Sequence, residues 1–357
     1  MDKFINKLNF KFNTNQQILK LIGHIDGFKG KWNIAEKQEN IYLKELRKIA
    51  TIESIGSSTR IEGATLSDKE VQELLNDIKI TKLKSRDEQE VVGYYEVLEL
   101  IYENYKDIPL TESYVKQFHQ LLLKYSNKDK RHRGGYKHLP NKVVANYPNG
   151  EQRVIFATTE PALVAGEMTE LIEWTNQQLK EETIHPLIII GSFIYDFLSI
   201  HPFQDGNGRL SRLLTTLCLL QNDYLFIQYI SFENHIEQNK KEYYEALMTG
   251  QKNRGTKAEL IDTWLIFFLN SLSILTQKLE QKYDVYKNKG GYLNERQKLI
   301  KKHIEKFQPI KVSDLATKFP EIQLSTLKKD LQYLKQEQEI QMIGIGKGSF
   351  YISNDKK

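Results

Sequence analysis

The sequence predicts a mainly α-helical protein: a large helical body carrying one β-hairpin, followed by a smaller unit of three helices and a second hairpin. Three observations carry this reading. Apolar residues recur at three- and four-residue spacing along most of the 357 residues, the period of helices with one buried face. Strand-like runs paired around glycine occur at two places, near residues 142–156 and 340–352. Lys287-Asn288-Lys289-Gly290-Gly291 has the composition of a linker and separates the two parts.

A chain of this length can bury a sizeable core and hold two or three units. With 40% hydrophobic and 27% charged residues it is ordinary for a soluble protein. Met1-Asp2-Lys3-Phe4-Ile5-Asn6-Lys7 turns polar too soon for a secretory leader. The most apolar stretches, Leu187–Ile200 and Trp264–Leu275, are broken by polar residues before they reach the length of a membrane span. The single cysteine, Cys218, lies in an apolar run and reads as a buried thiol, and one cysteine excludes a disulfide framework within the chain. A cytoplasmic location without a membrane partner is the expectation. Of 51 basic and 46 acidic residues, thirteen and eight fall in Leu293–Lys357, which leaves the preceding part balanced at 38 of each. The net charge of +5 therefore belongs to the last segment.

In chain order, Gln16, Ile18, Leu19, Leu21, Ile22 and Ile25 have helical spacing, and Gly27, Gly30 and Trp32-Asn33 then suggest a turn. A second helix from about Asn40 places Ile41, Leu43, Leu46, Ile49, Ala50 and Ile52 inward and runs towards Ser58-Thr59-Arg60-Ile61-Glu62-Gly63. There Ser58 and Glu62 are i and i+4 neighbours and Gly63 is suited to ending a helix, so the segment by itself is a closing helical turn. Ser67 or Asp68 caps the next helix. Asp87–Tyr102 continues helical, and Thr111 starts a helix whose His119, on an apolar face, reads as a packed histidine rather than a ligand. Arg131–Lys137 is irregular and basic. Lys142–Ala145 and Arg153–Phe156 then flank Asn149-Gly150, a hairpin that by itself is a surface ribbon. Val164–Leu179 is another helix. His185-Pro186 opens Leu187–Ile200, apolar on nearly all sides and hence central; His185 has no metal-ligand partners nearby in the sequence and reads as structural.

That helix delivers His201-Pro202-Phe203-Gln204-Asp205-Gly206-Asn207-Gly208-Arg209-Leu210-Ser211-Arg212. No core needs this mixture. Gly206-Asn207-Gly208 lets the backbone approach a ligand where Leu210, Leu213, Leu214 and Leu217 begin a helical stripe, and N–H groups at a helix start bind anions. Arg209 and Arg212 add two positive forks for phosphate oxygens, and Asp205 is a hard oxygen ligand suited to Mg²⁺ on those phosphates. His201 titrates near neutral pH and can act as general base. The combination describes phosphate-ester chemistry on a nucleotide.

HPFQDGNGRLSR resembles the signature of the Fic family, HPFx[D/E]GNGRxxR, at every specified position. The resemblance implies a helical Fic-fold core and transfer of AMP from ATP to a Ser, Thr or Tyr hydroxyl of another protein. It implies that His201 deprotonates the target hydroxyl and Phe203 anchors the loop. By the same resemblance Asp205 holds Mg²⁺, Gly206, Asn207 and Gly208 cradle the α-phosphate, and Arg209 and Arg212 bind the β- and γ-phosphates. Ser58-Thr59-Arg60-Ile61-Glu62-Gly63 resembles the family's inhibitory helix, [S/T]xxxE[G/N], which implies that Glu62 pairs with Arg212 and blocks the γ-phosphate. Tyr243 and Tyr244, in a YYxAL segment, are implied to line the adenine site. Gln251 stands where many relatives have asparagine, and it joins Glu62 among the ATP-site residues. The hairpin is implied to be the flap that covers the nucleotide and pairs with a target segment, with Arg153 and Val154 on it; only Pro161 remains of the proline-rich run that often follows family flaps.

Beyond the linker, helices near Glu295–Phe307, Val312–Phe319 and Ser325–Gln336 and a hairpin around Gly344, Gly346 and Gly348 resemble a winged-helix domain. Lys328, Lys329, Lys335 and Lys347 could then touch DNA phosphates, or the unit could dock a protein. No arginine occupies the would-be recognition helix. The expected division is a helical region 1–90 with the inhibitory segment, a catalytic core 91–280, a linker 281–292 and the small domain 293–357. The reading is an autoinhibited protein adenylyltransferase that uses ATP and Mg²⁺, with self-modification expected and a homodimer left open. Its rivals are a hydrolase that removes AMP with the help of Glu62 and a DNA-binding regulator with a nucleotide-sensing core.

Overall fold

In the computed structural model the chain is described over residues 2–36, 41–76, 83–146, 152–288, 293–336, 339–344 and 349–354. It forms two compact units, Met1–Leu279 and Glu280–Lys357. Helices dominate: α1 (Asp2–Asn6), α2 (Phe12–Glu36), α3 (Ile41–Ile61), α4 (Asp68–Asn76), α5 (Arg86–Asn104) and α6 (Glu112–Leu122) lead to a hairpin of β1 (Lys142–Asn146) and β2 (Gln152–Ala157). After it come α7 (Val164–Glu181), α8 (Pro186–Ile200), α9 (Asn207–Gln221), α10 (Phe232–Gln238), α11 (Lys240–Gln251) and α12 (Asp262–Asn288). The second unit contains α13 (Glu295–Phe307), α14 (Val312–Lys318), α15 (Leu324–Gln336), β3 (Ile340–Ile343) and β4 (Phe350–Ser353).

The centre of the first unit is the pair α8 and α9. Every residue of α8 from Ile189 to Ile200 is buried, as is every residue of α9 from Arg209 to Leu220. Each fully buried Leu, Ile or Phe removes enough apolar surface to stabilise the fold by about 1.5–3 kcal/mol before entropy is counted. α7 packs along α8, α3 lies against α5, α9 and α10, and the Trp264 indole of α12 donates to the Gly191 carbonyl of α8 at 2.8 Å. The start of α5 is fixed by a capping box in which Ser85 and Glu88 satisfy each other's backbone N–H, and α6 starts on the Thr111 hydroxyl.

Two expectations from sequence are corrected. The turn expected at Gly27, Gly30 and Trp32-Asn33 does not form; α2 runs through to Glu36. Its buried stripe of Ile18, Ile22, Ile25, Phe28 and Trp32 keeps helical spacing, and Phe28 and Trp32 pack on Phe226 and Tyr229. This packing outweighs a glycine penalty of about 1 kcal/mol per site. The linker expected over 281–292 is also too long, because α12 continues to Asn288; residues 289–292 lie outside the described residues. Sequence reading assigned no element to α10.

The hairpin pairs antiparallel, Lys142 opposite Ala157 and Val144 opposite Val154, with a register shift between Val143 and Val144. The expected turn at Asn149-Gly150 lies outside the described residues. In the second unit, Ile300, Ile304, Leu315, Leu327, Leu331 and Leu334 form the core. Asp330, buried on α15, accepts from Arg296 Nε at 2.6 Å and Gln297 Nε2 at 3.0 Å of α13. Lys328, Lys329 and Lys335 are exposed; Gly346, Lys347 and Gly348 lie outside the described residues. No helix among the described residues is long and apolar enough to cross a membrane.

Candidate active site

α8 ends at His201, whose backbone is left-handed (φ 53°, ψ 60°) and whose N–H closes the helix on Phe197 O at 2.9 Å. A non-glycine residue in this region costs about 1–2 kcal/mol and persists where surrounding contacts over-determine it. Those contacts are present. Phe203, fully buried, stacks on the His119 ring at 3.8 Å and 11°. The Asn207 side chain brackets Phe203, accepting from its N–H at 2.9 Å and donating to its carbonyl at 2.7 Å. His119 accepts from Gly134 N–H through Nδ1 at 2.8 Å, so its proton is on Nε2, which donates to the Asp205 carbonyl at 2.9 Å. Burial pushes His119 down to about 4, which keeps it neutral in this role. The residue expected to be merely packed thus fastens the loop.

Gly206, at φ 81°, turns the chain into α9. The first N–H groups of that helix have no carbonyl of a preceding turn to bond, and the residues that carry them, Asn207 and Gly208, line a cavity of about 290 Å³. His201, Asp205, Gly206, Asn207, Gly208 and Arg212 line this cavity together with Glu62, Tyr243 and Tyr244, so residues far apart in sequence meet in one place. Of the expected nucleotide-site residues, Arg209 and Gln251 do not line it; Arg209 lies buried beneath it, and Gln251 lies elsewhere. Gln251 lines a second cavity of about 630 Å³ with Ile200, Phe156 and Arg254, and its amide donates to the Ser199 hydroxyl.

The Glu62 segment closes the site. Arg212 Nε donates to Ser58 Oγ at 2.8 Å, and Nη2 donates to Ser58 O at 2.9 Å and Glu62 Oε1 at 2.8 Å. Burial works to raise the Glu62 carboxyl, but the guanidinium groups of Arg212 and Arg209 outweigh it and hold the group below the usual carboxylate range. A methyl group at Gly208 would lie 2.2 Å from Glu62 Oε1, so a side chain there would have to displace the carboxylate from its place over the start of α9. Gly63, at φ 109°, follows the end of α3. Lys240 Nζ donates to Ile61 O at 2.9 Å, and Arg60 binds Glu237 and Asp68 at 2.8 and 2.9 Å, so α10, α11 and α4 also hold this helix end.

Arg209, 1% exposed, pairs with Glu90 at 3.0 Å and with Asp205 at 3.2 Å. Arg86, four residues before Glu90 on α5, reaches Glu90 at 2.7 Å and Asp205 at 3.5 Å. Sequence reasoning missed Glu90, Arg86 and Lys240, and their only signal was the Arg86/Glu90 spacing on a helix otherwise read for its apolar face. Burial acts to raise Asp205, while Arg209, the Gly206 N–H and Arg86 together hold it low. An ionised carboxylate, 31% exposed beside a phosphate cradle, fits the single protein ligand that Mg²⁺ commonly takes when phosphates supply the rest. Among the described residues no group of three or more His, Cys, Asp or Glu forms a metal cage.

His201 donates from Nδ1 to the Leu198 carbonyl at 3.2 Å. A carbonyl can only accept, so the proton is on Nδ1 and the Nε2 lone pair is free to take another. Burial pushes the ring down to about 4, hence it is an unprotonated base at neutral pH. On the β1–β2 hairpin, Val154 is 53% exposed and Arg153 pairs with Ala145 in the ladder; the tyrosines 243 and 244 stack edge to face at 5.2 Å beside Trp264.

Residues 109–219 match the Fic/DOC family. Among curated proteins, Protein adenylyltransferase Fic of Aedes aegypti is 27% identical over 218 residues, 60% of this chain and 40% of its own length. The chain thus spans less than half the length of the curated relatives it matches. Among solved structures, a Fic family protein from Desulfovibrio desulfuricans aligns over 96% of this chain and 97% of its own with a TM-score of 0.65 at 22% identity. A Fic domain containing signaling protein from Bacteroides thetaiotaomicron aligns over 72% of this chain and 97% of its own with a TM-score of 0.57 at 23% identity. At these identities the structural likeness is one of fold. The matched stretch contains the His201–Arg212 loop and helix start, and over residues 109–219 this chain is similar to the Fic/DOC family.

Proposed function

We propose that this protein transfers AMP from ATP to a Ser, Thr or Tyr hydroxyl of a protein, and that Glu62 holds the reaction back by occupying Arg212. The observation that carries the reading is the 2.8 Å contact of Glu62 with Arg212, set over a helix start with a neutral imidazole beside it. The α-phosphate sits on the free N–H groups at the start of α9, beyond Gly206, and Arg209 and Arg212 take the outer phosphates. His201 Nε2 accepts the proton of the target hydroxyl as its oxygen attacks the α-phosphorus. The bond from that phosphorus to the bridging oxygen breaks, and pyrophosphate leaves with the electron pair. Asp205 is the residue that would hold Mg²⁺, which would supply charge neutralisation for the leaving pyrophosphate. With Glu62 in place the γ-phosphate loses its clamp and meets a like charge, so the triphosphate cannot settle with its α-phosphate in line. The partner is a protein whose extended segment pairs with an edge of the two-stranded flap, self-modification being the same reaction on the chain's own hydroxyls.

A second reading has one observation in its favour: the ionised Glu62 carboxylate stands directly over Gly208, where it could orient water for removal of AMP. Adenylylated protein incubated with the parent and with Glu62→Gly separates the two, since removal needs Glu62 and transfer does not. For residues 293–357 the winged-helix reading stands as a further proposal, in which exposed Lys328, Lys329 and Lys335 meet the phosphates of DNA or an acidic protein face.

A further inference from the structure

At the end of the basic stretch 131–137, before the flap, stands a buried cation that the mechanism above does not use. Lys137 is 2% exposed, and its ammonium has three acceptors for its three protons: Asn141 Oδ1 at 2.8 Å, Thr158 Oγ1 at 2.7 Å and Ile200 O at 3.1 Å. Its backbone N–H donates to Pro202 O at 2.8 Å. Ile200 and Pro202 are the neighbours of His201. Asn141 and Thr158 are the residues immediately outside β1 and β2, the two ends of the flap, and Asn141 Nδ2 adds a bond to Phe203 O at 2.8 Å.

We propose that Lys137 is a positioning residue for His201, fastening both ends of the flap to the peptides on either side of the base so that flap and base keep one geometry. The inference rests on the adenylyl-transfer reading for its activity readout only. The left-handed backbone at His201 needs external restraint, and Lys137 supplies it on both sides. All three acceptors are uncharged, so nothing in direct contact neutralises the lysine; burial brings it down to about 8, with Glu160, Arg254 and Glu167 the other charges that act on it. After burial, the largest influence lowering His201 is this same positive charge. An uncharged residue at 137 would therefore release the loop and make the imidazole more basic.

The test uses the full chain with Glu62→Gly to keep the gate open, comparing Lys137→Met and Lys137→Arg with that parent. For Lys137→Met the labelling rate at saturating ATP is expected to fall about 100-fold, the scale of an ångström-level misplacement, with KM for ATP moving less than about threefold. Lys137→Arg should recover part of the rate. A second readout needs no activity: in ¹⁵N-histidine spectra, with the His201 signals identified by their loss in His201→Ala, the parent should show the Nδ1–H tautomer. Lys137→Met should lose that single tautomer and titrate nearer the ordinary histidine range. If Lys137→Met does not fold, Thr158→Val removes one anchor and should shift the same signals in the same direction with a smaller loss of rate, about tenfold. Unchanged His201 signals in whichever variant folds overturn the proposal. An unlabelled parent refutes the transfer reading alone, and the spectra then decide the role of Lys137.

Discussion

Replacing Glu62 by glycine removes one claimant on Arg212 and leaves the other contacts of the arginine intact. The ion pair is 2.8 Å long, with 3% of the Arg212 side chain and 32% of the Glu62 side chain exposed. A hydrogen bond between charged groups is worth about 1.5–3 kcal/mol, and the solvent reaching Glu62 reduces this to about 1–2 kcal/mol. Ser58 still binds Arg212 through its hydroxyl and carbonyl, so the guanidinium stays where a γ-phosphate can meet it. Loss of the like charge facing that phosphate adds about 1 kcal/mol at partly solvated contact distance. The sum, about 2–3 kcal/mol, corresponds to a gain of roughly 30- to 150-fold in productive use of ATP. Calorimetric titration with Mg²⁺–ATP and initial rates of labelling from α-³²P-ATP measure how the gain divides between affinity and rate. A gain below about threefold in both would refute the reasoning, because the contact would then carry no gating energy.

Further outcomes follow from the same geometry. Gly208→Ala should cost about 1–2 kcal/mol in the parent, since a methyl group there lies 2.2 Å from Glu62 Oε1, and much less beside Glu62→Gly. Equal costs in the two backgrounds, by denaturant titration, would contradict the close approach. His119→Ala should destabilise by about 3 kcal/mol through loss of the Phe203 stack and two buried hydrogen bonds, and a loss under about 1 kcal/mol would remove its place as the loop's fastener. His119 is held near 4 in the folded chain against about 6.5 unfolded, so between those values the unfolded state binds the extra proton. Stability should therefore fall as pH drops from about 6.5 towards 4, by up to about 3 kcal/mol from this residue. His119→Phe should flatten that slope, and an unaltered profile would count against the buried neutral ring. If the C-terminal unit meets DNA through α15, Lys328→Ala and Lys329→Ala should each reduce the slope of log affinity against log salt by about one, and an unchanged slope would exclude that face.

The chemistry-bearing loop was legible because its residue types are uneconomical in any core: His201, Asp205, paired glycines and two arginines within twelve residues around a helix start. The Glu62 segment was legible by family resemblance, and its i, i+4 spacing from Ser58 survives in space as two grips on one guanidinium. Other parts were hidden for physical reasons. Gly27 and Gly30 looked like a break because glycine is a poor helix former, yet Phe28 and Trp32 bury on residues some two hundred positions away, and tertiary packing decided the matter. Gln251 keeps its helical position, but its partner Ser199 turns it into the second cavity. Glu90, Arg86 and Lys137 act through contacts across long sequence separations, and a lone charge in a helix or basic loop gives no sign of which distant carbonyl or guanidinium it will meet.

Intact-mass and peptide mass spectrometry of the Glu62→Gly protein after incubation with Mg²⁺–ATP tests the central claim most directly. The expected result is an added AMP on a Ser, Thr or Tyr hydroxyl, scarce in the parent and absent when His201→Ala is combined with Glu62→Gly. An unmodified protein, or an equal AMP adduct without His201, would contradict it.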